Sequence, residues 1–345
     1  MRLLFLTPQL PFPPHQGAAL RNWGILSELA RRHEVHLLCF GSQGAPTPPS
    51  VASLTVVPLP ARTGRARARD LLASTAPDMA QRLWSETFAA ALDHLLISHR
   101  FDVVQVEGIE LVPYALPHLD AADGPLWVYD AHNAEAALQQ SAMWADVRYP
   151  RRWHAALYSG IQMWKLRRYE AAQLPHFDRV VAVSEEDARL LHDLTGVKPL
   201  VVPNGIATRR VAPGRWEAAP AMREQEGPAL VFTGKMDFRP NVDGVHWFVD
   251  EILPRISCDG APPARVWVVG QSPHPSLARL GAHPQVMMTG WVEEVEPYLA
   301  GADVVVVPLR MGSGTRLKVL QALSLARPLV GTTLGCAGLA LQDGE

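Results

Sequence analysis

Short apolar runs alternate with longer amphipathic segments along most of the chain. Arg2–Thr7 predicts a strand, and Ala18–Arg32 predicts a helix with its apolar residues on one face. Further strands are predicted over Glu34–Phe40, Leu54–Pro58, Val103–Glu107, Leu126–Asp130, Arg179–Val183 and Leu200–Val202. Helices are predicted over Met79–Ser98, over 151–174 and after Ser184, which is followed by Asp187 at capping-box spacing, while the Arg-rich residues 61–70 predict a loop. Strands that alternate with helices indicate a parallel sheet covered on both faces.

Residues 207–228 interrupt this alternation, because they have no clean period and contain several prolines and charges. The alternation then restarts with strands predicted over Ala229–Thr233, Arg265–Val269, Val286–Thr289, Val304–Pro308 and Pro328–Gly331. Helices are predicted between them over Asn241–Ile256, Val295–Leu299 and Arg316–Ala326. The pattern predicts an α/β chain with two doubly wound parallel-sheet domains, 1–206 and 229–345, joined by a linker over 207–228. Ligands of such sheets bind beyond the carboxyl ends of the strands, so we expect the site in a cleft between the domains.

Composition narrows the class of protein. The chain has 345 residues, of which 48% are hydrophobic, enough for two cores, and its formal net charge of −2 gives no general drive toward nucleic acid. The three cysteines are far apart and form no CxxC pair, which disfavours a disulfide framework or a zinc site and favours a reducing cytoplasm. No apolar run reaches the ~18–20 residues of a membrane helix. The short run Leu3–Leu6 is followed by prolines, so it predicts a first strand rather than a signal peptide.

A late segment, "RMGSGTRLK" at residues 310–318, has the features of an anion site. Gly312 and Gly314 let the backbone approach a ligand closely, and the N–H groups at the start of the predicted helix carry partial positive charge. Arg316 and Lys318 add full charges that suit a phosphate. The alternative is an ordinary turn with basic residues on the surface, and the GxxxxGK[ST] phosphate loop is absent.

A second basic turn follows the first predicted strand of the second domain. Gly234 and Lys235 end this strand in "FTGKM", and a parallel sheet would bring them to the same edge as the late segment. Two cationic turns at one edge predict a bound diphosphate. The alternative is an exposed lysine on a turn.

In the first domain, "VYDAHNAEA" at residues 128–136 places polar groups at the carboxyl end of a strand. Such groups suit hydrogen bonds to a polyol, with His132 as a donor to a sugar hydroxyl or as a proton relay. The alternative is a helix N-terminus capped by Asn133. No HExxH or other metal-ligand spacing includes His132. Gly17 precedes the first helix like a weak phosphate or sugar loop, but the GxGxxG fingerprint is missing.

Residues 144–170 combine three tryptophans with six basic residues. Trp144, Trp153 and Trp164 could rest on an anionic membrane surface, or they could form the core face of a helix whose arginines are solvated. No Asp-x-Asp metal clamp and no GxSxG nucleophile elbow occurs in the chain.

Taken together, six segments give the chain a resemblance to a known family. They are "PFPPHQGAALRNW", "DAHNAEA", "VVAVSEEDARLL", "VVPNGI", "LVFTGKMDFRPNVDGVHWFVDEILPRI" and "PLRMGSGTRLKVLQALSLARPLV". The chain resembles the retaining glycosyltransferases of family 4, which have the GT-B fold of two Rossmann-like domains facing a cleft. It is most similar to bacterial exopolysaccharide-type sugar transferases.

The resemblance implies that the second domain binds a donor nucleotide sugar. His132, Lys318 and Lys235 would be the catalytic residues. The residues that would bind the donor are Gly17, Gly234, Gly312, Ser313, Gly314, Thr315, Arg316 and Gln321. No metal and no cofactor beyond the donor substrate are expected.

The chain departs from the family pattern in three places. The Glu-x7-Glu pair of the family is replaced by Ser313 and Gln321, and Pro240 stands where a second basic residue is common. After Gly331 the family has a further βα unit and a terminal helix, so the resemblance predicts that the second domain is incomplete and the chain truncated.

The function we expect is transfer of a sugar from a nucleoside-diphosphate sugar to a glycan or lipid-linked glycan hydroxyl, with retention and without metal. A nucleotide-sugar epimerase of the same fold and a non-catalytic sugar-nucleotide binder are the alternatives. The expected partners are the nucleotide sugar and the acceptor, not nucleic acid. We expect a cytoplasmic protein, with peripheral contact at the inner membrane face as an open hypothesis.

Overall fold

The computed structural model describes residues 1–345 except 15–16, 43, 46, 148–152, 209–210, 257–259, 261, 313–315, 340 and 345. The chain divides into two compact units, Met1–Pro203 and Asn204–Glu345. In the described residues each unit holds one parallel sheet, with seven strands in the first unit and five in the second. The prediction of two doubly wound α/β sheets is therefore confirmed.

The strands of the first unit are β1 (Arg2–Thr7), β2 (Glu34–Phe40), β3 (Ser53–Val57), β4 (Val103–Glu107), β5 (Leu126–Ala131), β6 (Arg179–Ala182) and β7 (Leu200–Val201). Their order in the sheet is β3-β2-β1-β4-β5-β6-β7, and every neighbouring pair is parallel. Alternate residues of β1 enter different cores, since Leu3 and Phe5 pack on one face of the sheet and Leu4 and Leu6 on the other. A strand covered on both faces is apolar throughout, which is why β1 gives so clear a signal in the sequence.

The helices of the first unit are α1 (Gly17–Ala30), α2 (Gly64–Ala73), α3 (Asp78–Gln81), α4 (Glu86–Ser98), α5 (Val112–Ala115), α6 (Glu135–Val147), α7 (Trp153–Gln173) and α8 (Glu185–Thr195). Short 3₁₀ turns lie at Ile109–Leu111, Leu116–His118 and Leu174–His176. The capping prediction for α8 is confirmed, because the Ser184 hydroxyl accepts from the N–H of Asp187 and Gly196 ends the helix in a left-handed conformation.

Two predictions in this unit are wrong. The Arg-rich stretch predicted as a loop is helix α2, where Arg62 pairs with Asp70 at 3.0 Å and thereby ties the chain before the helix to its last turns. The single helix predicted over Met79–Ser98 is two helices, because the Ser85 side chain caps the first turn of α4 by accepting from the N–H of Phe88.

The second unit contains β8 (Ala229–Thr233), β9 (Arg265–Val269), β10 (Val286–Gly290), β11 (Val304–Val307) and β12 (Leu329–Gly331) in the order β10-β9-β8-β11-β12. Its α-helices are α9 (Pro220–Arg223), α10 (Arg239–Trp247), α11 (Glu296–Ala300) and α12 (Leu317–Ser324), and 3₁₀ helix covers Pro275–Ala282. Residues 204–228, which the sequence assigns largely to a linker, belong to this unit, and Val211, Ala219 and Met222 are buried in its core.

Helix α10 is shorter than the helix predicted over Asn241–Ile256. It passes into a π-helical stretch, Phe248–Ile252, and then a 3₁₀ turn, Leu253–Arg255. Pro254 has no N–H to continue the α-helical ladder, which explains the change of pitch. Gly244 brings α10 close to the end of β11, since a Cβ there would lie 2.8 Å from the carbonyl oxygen of Pro308.

Candidate functional site

The strands β8 and β11 are parallel neighbours, so the turns that follow them lie at the same edge of the sheet. Gly234 and Lys235 follow β8 directly, and the loop after β11 leads to Lys318 in the first turn of α12. A Cβ placed on Gly234 would lie 3.1 Å from Lys318 Nζ. The structure therefore brings together the two basic turns that the sequence singles out.

Gly234 is required by its surroundings. Its φ of +157° disfavours a side chain, and a Cβ would meet Asn241 Nδ2 at 2.6 Å. Gly270, the residue after β9, packs directly against Gly234. A Cβ on Gly270 would lie 1.7 Å from the Gly234 carbonyl oxygen. The segments after β8 and β9 thus meet at the carboxyl edge with no side chain between them, and the Asn241 side chain packs against Gly234.

Lys318 is the most perturbed group at this edge. Its ammonium donates to Asn241 Oδ1 at 3.0 Å and lies 4.0 Å from the centre of the Phe232 ring. Burial, together with the charge of Arg316, lowers the pKa of Lys318 to about 7. An anion bound here would favour the charged form, so the group is poised to gain a proton when a phosphate arrives.

Asn241, which sequence reasoning missed, connects the two lysines. While its Oδ1 accepts from Lys318, its Nδ2 donates to the carbonyl oxygen of Lys235 at 2.9 Å. The side chain of Lys235 is itself 44% exposed and lies 3.3 Å from Asp237. Asn241 is buried at the start of a helix, and that burial of a polar side chain appears only in the fold.

The loop after β11 is anchored from its first residues. Arg310 donates to both carboxylate oxygens of buried Asp243, at 2.9 and 2.8 Å, and its guanidinium lies 5.2 Å from the Trp247 ring centre. Gly312 has a φ of +130°, and a Cβ there would lie 2.3 Å from Arg316 NH2. Neither Arg310 nor Asp243 is among the residues predicted for the site.

The remaining residues predicted to bind the donor are placed as follows. Gln321 is buried on α12, about one turn after the start of the helix. Gly17 is exposed and is the first residue of α1. Arg316 is the N-cap residue of α12 and is partly buried. Ser313, Gly314 and Thr315 lie outside the described residues.

In the first unit, His132 follows β5 and meets a carboxylate from the neighbouring strand β4. Its Nε2 lies 2.9 Å from Glu107 Oε2, and the other oxygen of Glu107 accepts from Gln105 at 2.7 Å. Glu107 is completely buried, whereas the His132 side chain is 17% exposed. Nε2 is therefore turned inward onto the carboxylate, and Nδ1 lies 3.8 Å from a Cβ placed on Gly108.

The environment raises the pKa of His132. Burial acts to lower it, but the hydrogen bond and charge of Glu107 and the charges of Asp130 and Glu110 outweigh burial. Burial and the nearby Asp130 likewise raise the pKa of Glu107. A raised pKa favours the doubly protonated imidazolium, which carries one proton on Nε2, toward Glu107, and a second on Nδ1.

Asp130 is not available to a ligand, although it lies near the carboxyl end of β5, two residues before His132. Arg21 of α1 donates to both of its oxygens, with the shortest contact at 2.8 Å, and both side chains are at most 3% exposed. Arg21 also donates to the Val202 carbonyl oxygen at 2.9 Å. This ion pair ties α1 to β5 and to the last strand of the unit.

The segment after His132 is held by acidic residues of later helices. Glu170 of α7 accepts from the N–H groups of Glu135 and Ala136, and Asp187 accepts from Ala134 at 3.0 Å. Glu170 thus caps α6, a role for which the sequence suggested Asn133. Burial is the main cause that raises the pKa of Glu135 to about 7 and that of Glu170 to about 8.

The described residues contain no group of three or more His, Cys, Asp and Glu side chains arranged to hold a metal ion. They also contain no helix with the length and apolar character needed to cross a membrane.

Comparison with known families gives two matches. The family model described as "Glycosyltransferase Family 4" matches residues 16–210, and the model described as "Glycosyl transferases group 1" matches residues 227–345. A search of curated protein sequences finds no match.

Solved structures share the fold at low sequence identity. The Anabaena protein Alr3699/HepE in complex with UDP and glucose is 15% identical, with a TM-score of 0.65 over 100% of this chain and 84% of that chain. The catalytic domain of starch synthase IV from Arabidopsis thaliana, bound to ADP and acarbose, is 14% identical, with a TM-score of 0.63 over 100% of this chain and 85% of that one. An E. coli trehalose-6-phosphate structure bound with UDP-2-fluoro glucose is 13% identical, with a TM-score of 0.62 over 97% and 85%.

The family match covers more than half of the chain, and the architecture of both units agrees with the solved structures. The chain therefore belongs to glycosyltransferase family 4 and is a glycosyltransferase with the GT-B fold.

Proposed function

We propose that this glycosyltransferase moves a sugar from a nucleoside-diphosphate sugar to a hydroxyl of a glycan or lipid-linked glycan, with retention and without a metal ion. The observation that carries the proposal is the meeting of Gly234, Lys235 and Lys318 at one edge of the second sheet, with Lys318 Nζ 3.0 Å from Asn241. A diphosphate can approach the backbone closely where glycines carry no side chains, and two lysines beside that backbone can neutralise its charge.

The lysines would stabilise the leaving group. As the bond between sugar and diphosphate breaks, negative charge grows on the departing phosphate, and Lys318 and Lys235 would neutralise it. Gly312, Arg316 and the residues 313–315 would complete the cradle, and Gln321 would hydrogen bond to a hydroxyl of the donor. In the first unit, His132 would donate from Nδ1 to the sugar, held in orientation by Glu107. No cofactor other than the donor substrate takes part.

Nucleotide sugars as donors are supported by the ligands of similar proteins, since the Anabaena structures contain UDP or UDP-glucose and the Arabidopsis structure contains ADP. We propose a cytoplasmic enzyme that contacts the inner face of the membrane, where a lipid-linked acceptor would be found. Retention is proposed from the family resemblance.

The test is incubation of the full chain with radiolabelled UDP-, ADP- and GDP-sugars, with and without glycan and lipid-linked acceptors, in the presence and absence of EDTA. We expect labelled product only with acceptor, unaffected by EDTA, and the same anomeric configuration in donor and product by NMR. Isomerised donor without acceptor would identify an epimerase, and binding without product would identify a non-catalytic binder.

Variants connect the activity to the proposed residues. Lys318→Met and Lys235→Met should each lower kcat/KM by about 10²–10³-fold, the usual cost of removing one group that stabilises a transition state. Lys198→Met is the matched control, because Lys198 is an exposed lysine of the first unit, before β7. Equal activity of all three variants would contradict the assigned roles.

A further inference from the structure

Helix α7 buries a polar face. Gln162 accepts from the N–H of Asp78 at 2.9 Å, and Lys165 donates to the carbonyl oxygen of Leu71 at 2.7 Å. Glu170 caps α6 from the same side of the helix. These side chains are at most 4% exposed, so polar contacts, together with the core residue Leu166, attach α7 to its unit.

The opposite face of α7 is apolar and exposed. Trp153, Leu157 and Trp164 are 67%, 58% and 50% exposed, and their spacing of four and seven residues places them on one side of the helix. We call these three residues the exposed stripe. The sequence alternative in which the tryptophans form the core face of the helix is wrong, because Trp144, Trp153 and Trp164 are all at least 50% exposed. Monomeric proteins rarely leave large apolar residues in a contiguous exposed patch without a partner.

Helix α6 extends this surface. It packs against α7, with the Met143 sulfur 3.3 Å from a Cβ placed on Gly160. Near the end of α6, Trp144 and Val147 are 56% and 55% exposed. Apolar side chains of both helices are therefore exposed toward the same end of the helix pair.

On these two helices the acidic side chains are buried, whereas two arginines are exposed to solvent. Their three acidic side chains, Glu135, Asp146 and Glu170, are all buried. By contrast, Arg167 and Arg168 are exposed, and the Arg168 guanidinium lies 4.9 Å from the Trp164 ring centre. The solvent side of α7 is accordingly aromatic and cationic.

We propose that the exposed stripe, with Trp144, Val147, Arg167 and Arg168, binds the surface of an anionic phospholipid membrane. Tryptophan prefers the boundary between lipid and water, and arginine pairs with anionic headgroups. A second copy of this chain would bring like charges together, so charge complementarity favours lipid over self-association. The inference extends the membrane contact in the proposed function, but its test measures binding and not sugar transfer, so either can fail alone.

The experiment is co-sedimentation of the full chain with sucrose-loaded vesicles of pure phosphatidylcholine and of phosphatidylcholine with 30% phosphatidylglycerol. We expect binding to the anionic vesicles that weakens as salt rises. The variant Trp153→Ser/Leu157→Ser should lower the partition coefficient by about tenfold or more, since two exposed apolar side chains no longer enter the interface. Arg167→Gln/Arg168→Gln should lower binding to anionic vesicles by about fivefold for each arginine and leave the neutral vesicles unaffected.

The matched control is Ile97→Ser/Trp291→Ser, which removes an aliphatic and an aromatic side chain that are 85% and 61% exposed elsewhere. It should bind as the unmodified chain does, and circular dichroism melts should show that all variants fold. Equal loss of binding in the control would overturn the assignment, as would undiminished binding of Trp153→Ser/Leu157→Ser. A dimer in light scattering that only the stripe variant dissociates would assign the surface to self-association and refute the lipid proposal.

Discussion

The lowered pKa of Lys318 gives the proposed donor site a pH dependence that can be calculated. Burial favours the neutral amine, with a pKa of about 7, whereas a diphosphate beside the amine favours the ammonium. Above about pH 7 the nucleotide must therefore bind together with a proton. The dissociation constant of UDP or ADP should rise by about twentyfold from pH 7 to pH 9, as the contribution of the ammonium is lost.

Lys318→Met removes both the charge and the proton uptake. At about pH 7 the variant should bind the nucleotide with a loss of about 2 kcal/mol, or roughly thirtyfold, which is typical of a hydrogen bond to a charged group. At about pH 9 the unmodified chain has already lost most of this advantage, so the two proteins should bind almost equally. Lys235→Met should weaken binding by a similar factor at each pH, because the pH dependence is assigned to Lys318.

The assay is isothermal titration calorimetry with UDP and ADP at several pH values, in two buffers of different ionisation enthalpy. The difference between buffers gives the number of protons taken up, which we expect to be greatest near pH 8 and to fall again toward pH 9. Lys198→Met provides a lysine control. A dissociation constant that is flat from pH 7 to pH 9, or a slope that survives in Lys318→Met, would refute the reasoning.

Three further predictions follow from contacts elsewhere. Glu107→Gln removes the charge that keeps the pKa of His132 high. The alkaline limb of the kcat/KM–pH profile should therefore move down by about one pH unit or more. An unchanged profile would contradict the pairing. Gly244→Ala should lower the free energy of unfolding by about 1–3 kcal/mol in urea titrations, because its Cβ would meet backbone, whereas Gly24→Ala, with open space in helix α1, should raise it by up to about 1 kcal/mol. Glu170 has a pKa raised to about 8, so the folded chain holds a proton that the unfolded chain releases near pH 4–5. The melting temperature should therefore fall as pH rises from about 5 to 8. Glu170→Gln should reduce this slope, most clearly between about pH 7 and 8, because Glu135, with a pKa of about 7, contributes a slope of the same sign at lower pH.

Part of the candidate site could be predicted from the sequence, because the motifs that resemble family 4 directly follow predicted strands. Gly234 and Lys235 directly follow a run of five buried residues, and Lys318 starts the helix after another strand. A parallel sheet sends all its carboxyl ends to one edge, so these lysines were expected to meet. To predict that these lysines meet, it was enough to know that the strands are parallel, and no distance between the residues was needed.

The partners of the site residues could not be predicted in this way. Glu107 is bonded to a histidine 25 residues later, and Arg21 is paired with an aspartate 109 residues later. Apolar periodicity shows which side of an element is buried, but it does not show which polar groups from distant segments meet there. Arg310 and Asn241 were missed for the same reason, since their contacts lie 67 and 77 residues away in the chain.

The sequence by itself determined the two parallel sheets, because a strand buried on both faces has to be apolar along its length. Helix α7 shows what only the tertiary structure decided. Its residues Gln162, Lys165 and Glu170 are inside because backbone groups of neighbouring helices need their hydrogen bonds, and this leaves Trp153 and Trp164 in solvent. Which face of a helix is buried depends on the unsatisfied groups it meets, and those groups belong to segments that pack against it only in the folded chain.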